Sequence, residues 1–178
     1  MKLIITLLFS SVAIGSPMED IKNEILRVEQ ENGLPEGLLL SLVKVESSLD
    51  PLASNLVAEE YSYGLGQLTE RSAKYHCGLN LKNIFDVSKN LECSAKILKH
   101  KIKKYRFNIK YATAAYNAGT ACVCKHGSYV TPFLKLECPI GPKTCSEENK
   151  ILNEEYVNKI FDNWDSLTWS KPLNFGPQ

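Results

Sequence analysis

The sequence predicts a mainly α-helical single domain, and three observations support that fold class. The chain has 178 residues, which suits one domain with a substantial hydrophobic core. Apolar residues recur at spacings of three and four along most of its length, the period of an amphipathic helix. The sequence also shows no internal repeat, no second domain boundary and no convincing hairpin, so we expect any strands to be short.

Two helices are predicted before residue 50. The first ends near Gly33, because glycine suits the left-handed position after a helix. Its apolar face consists of Ile21, Ile25 and Val28. The second runs from about Pro35 to Ser48, since proline suits a first helical turn. Asp50-Pro51 should end it, because the residue before a proline avoids the helical region.

Three helices are predicted in the second half of the chain. The first is capped by Asp86 or Ser88, and its periodic positions are Leu91, Ala95, Leu98, Ile102 and Tyr105. A short apolar helix then covers about Ile109 to Ala118 and stops at Gly119. Ser146 caps a last helix, whose face consists of Leu152, Tyr156 and Ile160.

The first residues predict export from the cytoplasm. Residues 1–15 combine a short basic start, an apolar stretch and small residues before Gly15, which is typical of a cleaved secretory signal peptide. The apolar stretch is too short for a membrane span. We therefore expect a periplasmic or extracellular protein, with a domain over 16–165 and a C-terminal tail over 166–178.

Six cysteines fit an exported chain, because an even count in an oxidising compartment favours disulfides. We expect Cys77 to pair with Cys93, since both lie outside the later cluster. The other four should staple the cysteine-rich loop over 120–146, and their pairing is left open: Cys122, Cys124, Cys138 and Cys145. Zinc is a weaker alternative, because this spacing does not match common zinc sites. We expect no metal and no cofactor.

One charged residue breaks the apolar pattern of the second helix. Glu46 shares a face with Leu39, Leu42 and Val43. A carboxyl group on such a face is desolvated, so its pKa rises and it can donate a proton near neutral pH. The alternative is an ordinary half-exposed glutamate paired with a lysine such as Lys44.

Three further segments carry polar groups suited to a sugar ligand. Gly64, Leu65 and Gln67 combine backbone that a ligand can approach closely with a carboxamide. Tyr116 and Asn117 place an aromatic ring beside an amide at the end of an apolar helix. The last helix adds a tyrosine, Tyr156.

Taken together, these segments resemble a known family. Four elements occur in one order along the chain: Glu46-Ser47, Gly64-Leu65-x-Gln67, Ala115-Tyr116-Asn117-Ala118-Gly119 and Tyr156-Val157-x-Lys159-Ile160. Their order and spacing resemble the bacterial lytic transglycosylases of the soluble type, whose fold is similar to goose-type lysozyme. The resemblance runs from about Asn32 to Phe161 and implies a lysozyme-like single domain.

The resemblance also implies an activity. Such enzymes cleave the β-1,4 bond between N-acetylmuramic acid and N-acetylglucosamine in peptidoglycan. By position, Glu46 is the single acid and base, and the sugar's own 6-hydroxyl attacks to give 1,6-anhydromuramic acid ends. Ser47 would orient the acid or bind substrate, and Tyr156 would hydrogen-bond Glu46. The remaining positions would line the cleft or contact the glycan: Gly64, Leu65, Gln67, Tyr116 and Asn117.

One position departs from the family. Methionine usually precedes the glutamine of the Gly-Leu-Met-Gln segment, whereas this chain has Gly66. We expect a roomier pocket or a more mobile loop there. The sugar preference should then differ, for instance towards de-N-acetylated glycan.

Two other functions stay open at this point. A hydrolytic goose-type-like lysozyme would need Asp50, Glu59 or Glu60 to position a water molecule. A non-cleaving peptidoglycan-binding or secretion accessory protein would need no acid. The implied partner is the peptidoglycan glycan strand, bound by a monomer. The net charge of +1 gives no field that would favour nucleic acid.

Overall fold

The structure is a computed structural model that describes residues 16–57, 60–125 and 147–168. Its described part contains six helices and one three-stranded sheet. In chain order the elements are α1 (Pro17–Asn32), α2 (Leu38–Ser47), β1 (Ser54–Val57), β2 (Glu60–Tyr63), β3 (Leu68–Thr69), α3 (Glu70–Cys77), α4 (Val87–Lys104), α5 (Ile109–Lys125) and α6 (Glu147–Thr168). The predicted mainly α-helical fold class is confirmed.

Helix α2 contributes several side chains to the main hydrophobic core. Its side chains at Leu38, Leu39, Leu42 and Val43 are fully buried, and it packs against both α1 and α6. The predicted faces of the flanking helices are buried as well, including Ile25 and Val28 of α1. Burial of such side chains contributes roughly 1.5–3 kcal/mol each, so α2 is held firmly in position.

A buried carboxylate fixes the start of α2. Glu29 of α1 is only 2% exposed and accepts backbone N–H groups of Gly37, Leu39 and Leu40. These are donors that the first helical turn cannot satisfy internally. Burial raises the pKa of Glu29 to about 7, while the three N–H groups act in the opposite direction. Helix α2 begins at Leu38, after Gly37, three residues later than the predicted start at Pro35.

Helix α2 ends by a backbone reversal rather than at the proline. Ser48 and Leu49 both take left-handed conformations, with φ of 54° and 67°, and the Ser48 N–H bonds the carbonyl of Lys44. The helix therefore ends at Ser47, three residues before Asp50. Left-handed backbone is uncommon for residues other than glycine, and the sequence pattern did not indicate it.

The absence of a hairpin was a wrong prediction. Strands β1 and β2 pair antiparallel, with Asn55 opposite Ser62 and Leu56 opposite Tyr61, and β2 pairs with β3. The strands have at most four residues, as short as expected, which is why alternation was too brief to detect. Helix α3, capped by the Thr69 hydroxyl, was also missed.

Helix α5 does not stop at Gly119 as predicted, but continues to Lys125. A glycine inside a helix costs only about 1 kcal/mol relative to alanine, which packing readily offsets. Residues 120–125 of the predicted loop over 120–146 are therefore helical, and residues 126–146 lie outside the described residues. Helix α6 continues to Thr168, three residues beyond the predicted end of the domain at residue 165.

The predicted Cys77–Cys93 disulfide is present and joins α3 to α4. The pairing of the other four cysteines stays a prediction, because it involves side chains that are not described. The expected signal peptide over 1–15 lies outside the described residues too. Within the described ranges, no helix has the length and apolar character needed to cross a membrane.

Candidate active site

The candidate acid lies in the last turn of α2. Glu46 is half-buried, and the three apolar residues predicted to share its face are fully buried. Its interaction partner is not Lys44, which is exposed. None of the ion pairs found among the described residues includes Glu46.

Tyr156 provides the hydrogen bond to this carboxyl group. Its hydroxyl donates to Oε1 of Glu46 at 2.6 Å, and the tyrosine is 8% exposed on α6. Desolvation raises the pKa of Glu46 to about 7, and the Tyr156 hydrogen bond partly opposes that rise. The predicted contact is therefore formed, and with a pKa of about 7 roughly half of the Glu46 carboxyl groups carry a proton at neutral pH.

Tyr116 of α5 lies within electrostatic range of Glu46 and holds the loop over 64–67. Burial and the nearby charge of Glu46 both raise the pKa of Tyr116 well above its usual value, so its hydroxyl stays protonated. That hydroxyl donates to the Gly66 carbonyl at 2.8 Å. The loop is thereby tied to the same region as Glu46.

Asn90 of α4 holds the same loop from the other side. Its Oδ1 accepts the Gly66 N–H at 2.8 Å, and its Nδ2 donates to the carbonyls of Ile84 and Tyr63. Asn90 is only 1% exposed. Sequence reasoning missed it, although the signal that identified Glu46, a polar residue on a buried helix face, was present here as well.

Gln67 uses its amide within the protein. Its Oε1 accepts from Asn55 and Ser62, both at 2.7 Å, and its Nε2 donates to the carbonyls of Gly64 and Ala53. Four partners fill most of the hydrogen-bonding capacity of an amide. Gln67 therefore fixes the loop against β1 and β2, and its predicted contact with the glycan stays a prediction.

The roomier pocket expected at Gly66 is not found. A Cβ atom at this position would lie 2.8 Å from the Cβ of Ser94 and 2.9 Å from the Tyr116 hydroxyl, closer than real contacts allow. The missing side chain would thus point into packed protein. The loop is also held by two hydrogen bonds of Gly66, whose N–H donates to Asn90 and whose carbonyl accepts from Tyr116, so nothing here supports the expected mobility.

The other predicted site residues take different positions. Ser47 is buried and donates to the carbonyl of Val43, while Leu65 belongs to the hydrophobic core. Asn117 is exposed next to Tyr116 on α5. Asp50 is exposed and accepts the Leu52 N–H. Glu60 is exposed on β2, whereas Glu59 lies outside the described residues.

Comparison with known proteins identifies the family of this chain. The family model of the transglycosylase SLT domain matches residues 24–135, which include Glu46, Gln67 and Tyr116. This chain belongs to the transglycosylase SLT domain family. The matched range covers more than half of the sequence and ends before α6, so Tyr156 is placed by the structure alone. In this SLT domain, the described residues contain no group of three acidic, histidine or cysteine side chains that could hold a metal ion.

Two solved structures are similar to this SLT-domain chain. An inactive glutamate-to-glutamine variant of the lytic transglycosylase Slt from Pseudomonas aeruginosa shares 16% identity, with a TM-score of 0.61 over 89% of this chain and 26% of that one. The 70 kDa soluble lytic transglycosylase of Escherichia coli shares 15% identity, with a TM-score of 0.62 over 83% of this chain and 24% of that one. The chain thus spans about a quarter of either protein. Their likeness confirms the lysozyme-like fold.

Proposed function

We propose that this SLT-domain chain is a lytic transglycosylase that cleaves the β-1,4 bond between N-acetylmuramic acid and N-acetylglucosamine in peptidoglycan. The single observation that carries the proposal is Glu46, a half-buried carboxyl group with a pKa of about 7 that accepts a hydrogen bond from Tyr156. Both similar structures are of lytic transglycosylases, and one is an inactive variant in which glutamine replaces a glutamate.

In the first step Glu46 acts as the general acid. Cleavage of a glycosidic bond needs a proton on the leaving oxygen. A glutamate with an ordinary pKa of about 4.3 would hold few protons at neutral pH, but Glu46 remains substantially protonated there because it is desolvated. Proton transfer leaves a carboxylate, and the Tyr156 hydroxyl stabilises its negative charge.

In the second step the same carboxylate acts as the base. The 6-hydroxyl of the muramic acid attacks the anomeric carbon, and Glu46 takes its proton. The C1–O bond to the leaving sugar breaks, a new C1–O6 bond forms, and Glu46 returns to its starting state. An intramolecular nucleophile gains from proximity, so this route needs no protein nucleophile and no water.

The hydrolytic alternative needs a second carboxylate to position water. Among the described candidates, Asp50 already accepts a backbone N–H in its own turn, and Glu60 is exposed on β2. The pKa of Glu46 is governed by desolvation and by Tyr156. These observations favour the intramolecular route, which gives 1,6-anhydromuramic acid ends.

The proposal extends to the setting of the enzyme. We propose a monomer that acts in the periplasm or outside the cell, with residues 1–15 as its export signal. The Cys77–Cys93 disulfide supports this setting, because such bonds persist in oxidising compartments. Ser47, Gln67 and Asn117 remain proposed glycan contacts.

Glu46→Gln tests the assignment of the acid. Glutamine keeps the shape and can still accept from Tyr156, but it cannot donate a proton as an acid. We expect release of soluble fragments from purified peptidoglycan to fall by at least about 100-fold. Glu155→Gln, which makes the same change at an exposed position one residue before Tyr156, should retain full activity. Equal loss in both variants, or none in either, would contradict the assignment.

The sugar preference predicted from Gly66 needs its own test. Since Ser94 and Tyr116 fill the space beside Gly66, the structure offers no wider pocket as its basis. We therefore now expect N-acetylated glycan to be cleaved at least as fast as de-N-acetylated glycan. A clear preference for the de-N-acetylated strand would contradict this expectation and support the sugar preference predicted from Gly66.

A further inference from the structure

We propose that a charged pocket beside the small sheet binds the peptide stems of peptidoglycan, which deepens the proposed function and rests on it. The pocket has a volume of about 530 Å³ and is open to solvent. Six residues line it, and we call this set the β2–α3 pocket: Glu60, Tyr61, Tyr63, Glu70, Arg71 and Lys74. None of the six belongs to the sequence elements on which the family resemblance rests.

The floor of the β2–α3 pocket is a pair of stacked rings. Tyr61 and Tyr63 lie two residues apart on β2, so their side chains share one face of the sheet. Their centroids are 6.1 Å apart with an interplanar angle of 16°. Tyr63 also contacts Phe85 edge-on at 5.6 Å, which anchors the pair, while Tyr61 remains 50% exposed. An exposed ring on an anchored platform is suited to cover an apolar part of a ligand.

The pocket belongs to the same strand and loop as the candidate active site. Ser62, between the two tyrosines, points to the opposite face and donates to Gln67. The loop after β2 is tied to Tyr116 through the Gly66 carbonyl. The sheet thus separates the pocket from the Gln67 side. An extended peptide of about four residues spans roughly 13 Å, more than the roughly 10 Å across three strands that lie about 4.8 Å apart, so a stem attached to a glycan beside the loop can pass the sheet and reach the pocket.

The charged side chains of the pocket favour the stem peptide over the sugar as its ligand. The pocket has two cations, Arg71 and Lys74, and two carboxylates, Glu60 and Glu70. None of these four takes part in the ion pairs found among the described residues, although Glu70 and Lys74 lie one helical turn apart. Their charges are therefore available to a ligand that carries both signs.

The chemistry of peptidoglycan supplies such a ligand. The lactyl carboxylate of muramic acid is consumed in the amide link to the stem, so a substituted glycan is neutral. The charges lie on the stems, as free carboxylates and as the side-chain amine of a diamino acid. Arg71 and Lys74 fit the carboxylates through charge-assisted hydrogen bonds, and Glu60 and Glu70 fit the ammonium group. A neutral sugar would leave all four charges unused.

Direct binding tests the pocket without relying on cleavage. The probe is a synthetic stem tetrapeptide with free carboxylates and a free side-chain amine, titrated by NMR into the Glu46→Gln protein. We expect its dissociation constant to rise at least tenfold when Arg71→Ala and Lys74→Ala are added together, which corresponds to about 1.4 kcal/mol. Lys103→Ala with Lys104→Ala removes the same charge from exposed positions on α4 and should change nothing.

Several results would overturn the proposal. These are no saturable binding of the tetrapeptide, equal weakening by the control pair, or undiminished binding of a peptide with blocked carboxylates and amine. Steady-state kinetics on two substrates separate this proposal from the proposed function. The Arg71/Lys74 variant should show a raised KM on stem-bearing peptidoglycan, but wild-type kinetics on glycan stripped of stems by an amidase. Equal effects on both substrates would mean that the pocket binds the glycan strand instead, through its sugars or through the lactyl carboxylates that the amidase frees.

Discussion

Tyr156 donates a hydrogen bond to Oε1 of Glu46 at 2.6 Å across 110 positions of the chain. The contact joins the last turn of α2 to α6, two helices that pack directly against each other. Two opposing effects act on this carboxyl group: burial raises the pKa of Glu46, and the Tyr156 hydroxyl lowers it. The result, a pKa of about 7, suits a group that must first give and then take a proton.

Tyr156→Phe should move the pH profile to higher pH. The hydroxyl stabilises the charged form of Glu46, so its loss leaves the desolvation effect unopposed and raises the pKa further. We expect the alkaline limb of kcat/KM to shift upward by about half a unit to one unit, with a lower maximal rate. The exposed Tyr75, at 84% exposure, gives the control Tyr75→Phe. An unchanged limb, or a shift to lower pH, would contradict the role assigned to Tyr156.

Glu46→Gln should stabilise the fold at high pH. The folded-state pKa of about 7 exceeds the ordinary value of 4.5, so the native state binds this proton more tightly than the unfolded chain does. The cost of ionising Glu46 therefore appears as pH rises from 4.5 to about 7, and it is fully present above that range. We expect a gain of about 1–3 kcal/mol in unfolding free energy near pH 8, shrinking towards pH 4.5.

Urea unfolding across this pH range measures the effect. Glu155→Gln, at an exposed position, controls for the loss of one negative charge. A gain in the Glu46 variant that does not depend on pH would show that desolvation of the carboxylate is not its source. Glu29, whose pKa is also raised to about 7, contributes equally to both proteins and does not affect the difference.

Gly66→Ala should destabilise the fold through a clash with Ser94. A Cβ atom at Gly66 would lie 2.8 Å from the Cβ of Ser94, and overpacking of this kind costs about 1–3 kcal/mol. In a Ser94→Gly background, the same substitution should cost markedly less. A double-mutant cycle by thermal unfolding measures the coupling. Equal costs in the two backgrounds would mean that Ser94 does not limit the space.

Replacing Cys77 and Cys93 together by alanine should lower stability without removing activity. The disulfide closes a loop with a sequence separation of 16, for which the expected contribution is about 3 kcal/mol. The bond joins α3 to α4, away from the α2–α6 contact that holds Glu46. We expect a lower melting temperature but near wild-type turnover at low temperature. Unchanged stability would argue that the bond is not formed in solution.

The parts of this protein that sequence predicted well depend on local rules. Gly33 ends α1 in a left-handed conformation, and Asp86 caps α4, because both features depend on residues within one turn. Glu46 was identifiable because an ionisable group on an apolar helix face conflicts with the pattern around it.

The parts that sequence missed depend on contacts between distant segments. Glu29 was not distinguishable from a surface glutamate, because its partners are backbone donors at the start of another helix. Asn90 is a polar residue on a buried helix face, but the loop that it holds lies 24 residues away in sequence, so its partner could not be identified. The filled space at Gly66 depends on where α4 and α5 pack, which no local pattern contains.

The most direct test of the central claim is mass spectrometry of the fragments released from purified, N-acetylated peptidoglycan by wild type and by Glu46→Gln. We predict wild-type products that end in 1,6-anhydromuramic acid, each lighter by one water molecule than the hydrolysis product, and none of them in the variant. Reducing-end products from wild type would contradict the intramolecular route and indicate a lysozyme. Anhydro products from Glu46→Gln would show that another group is the acid.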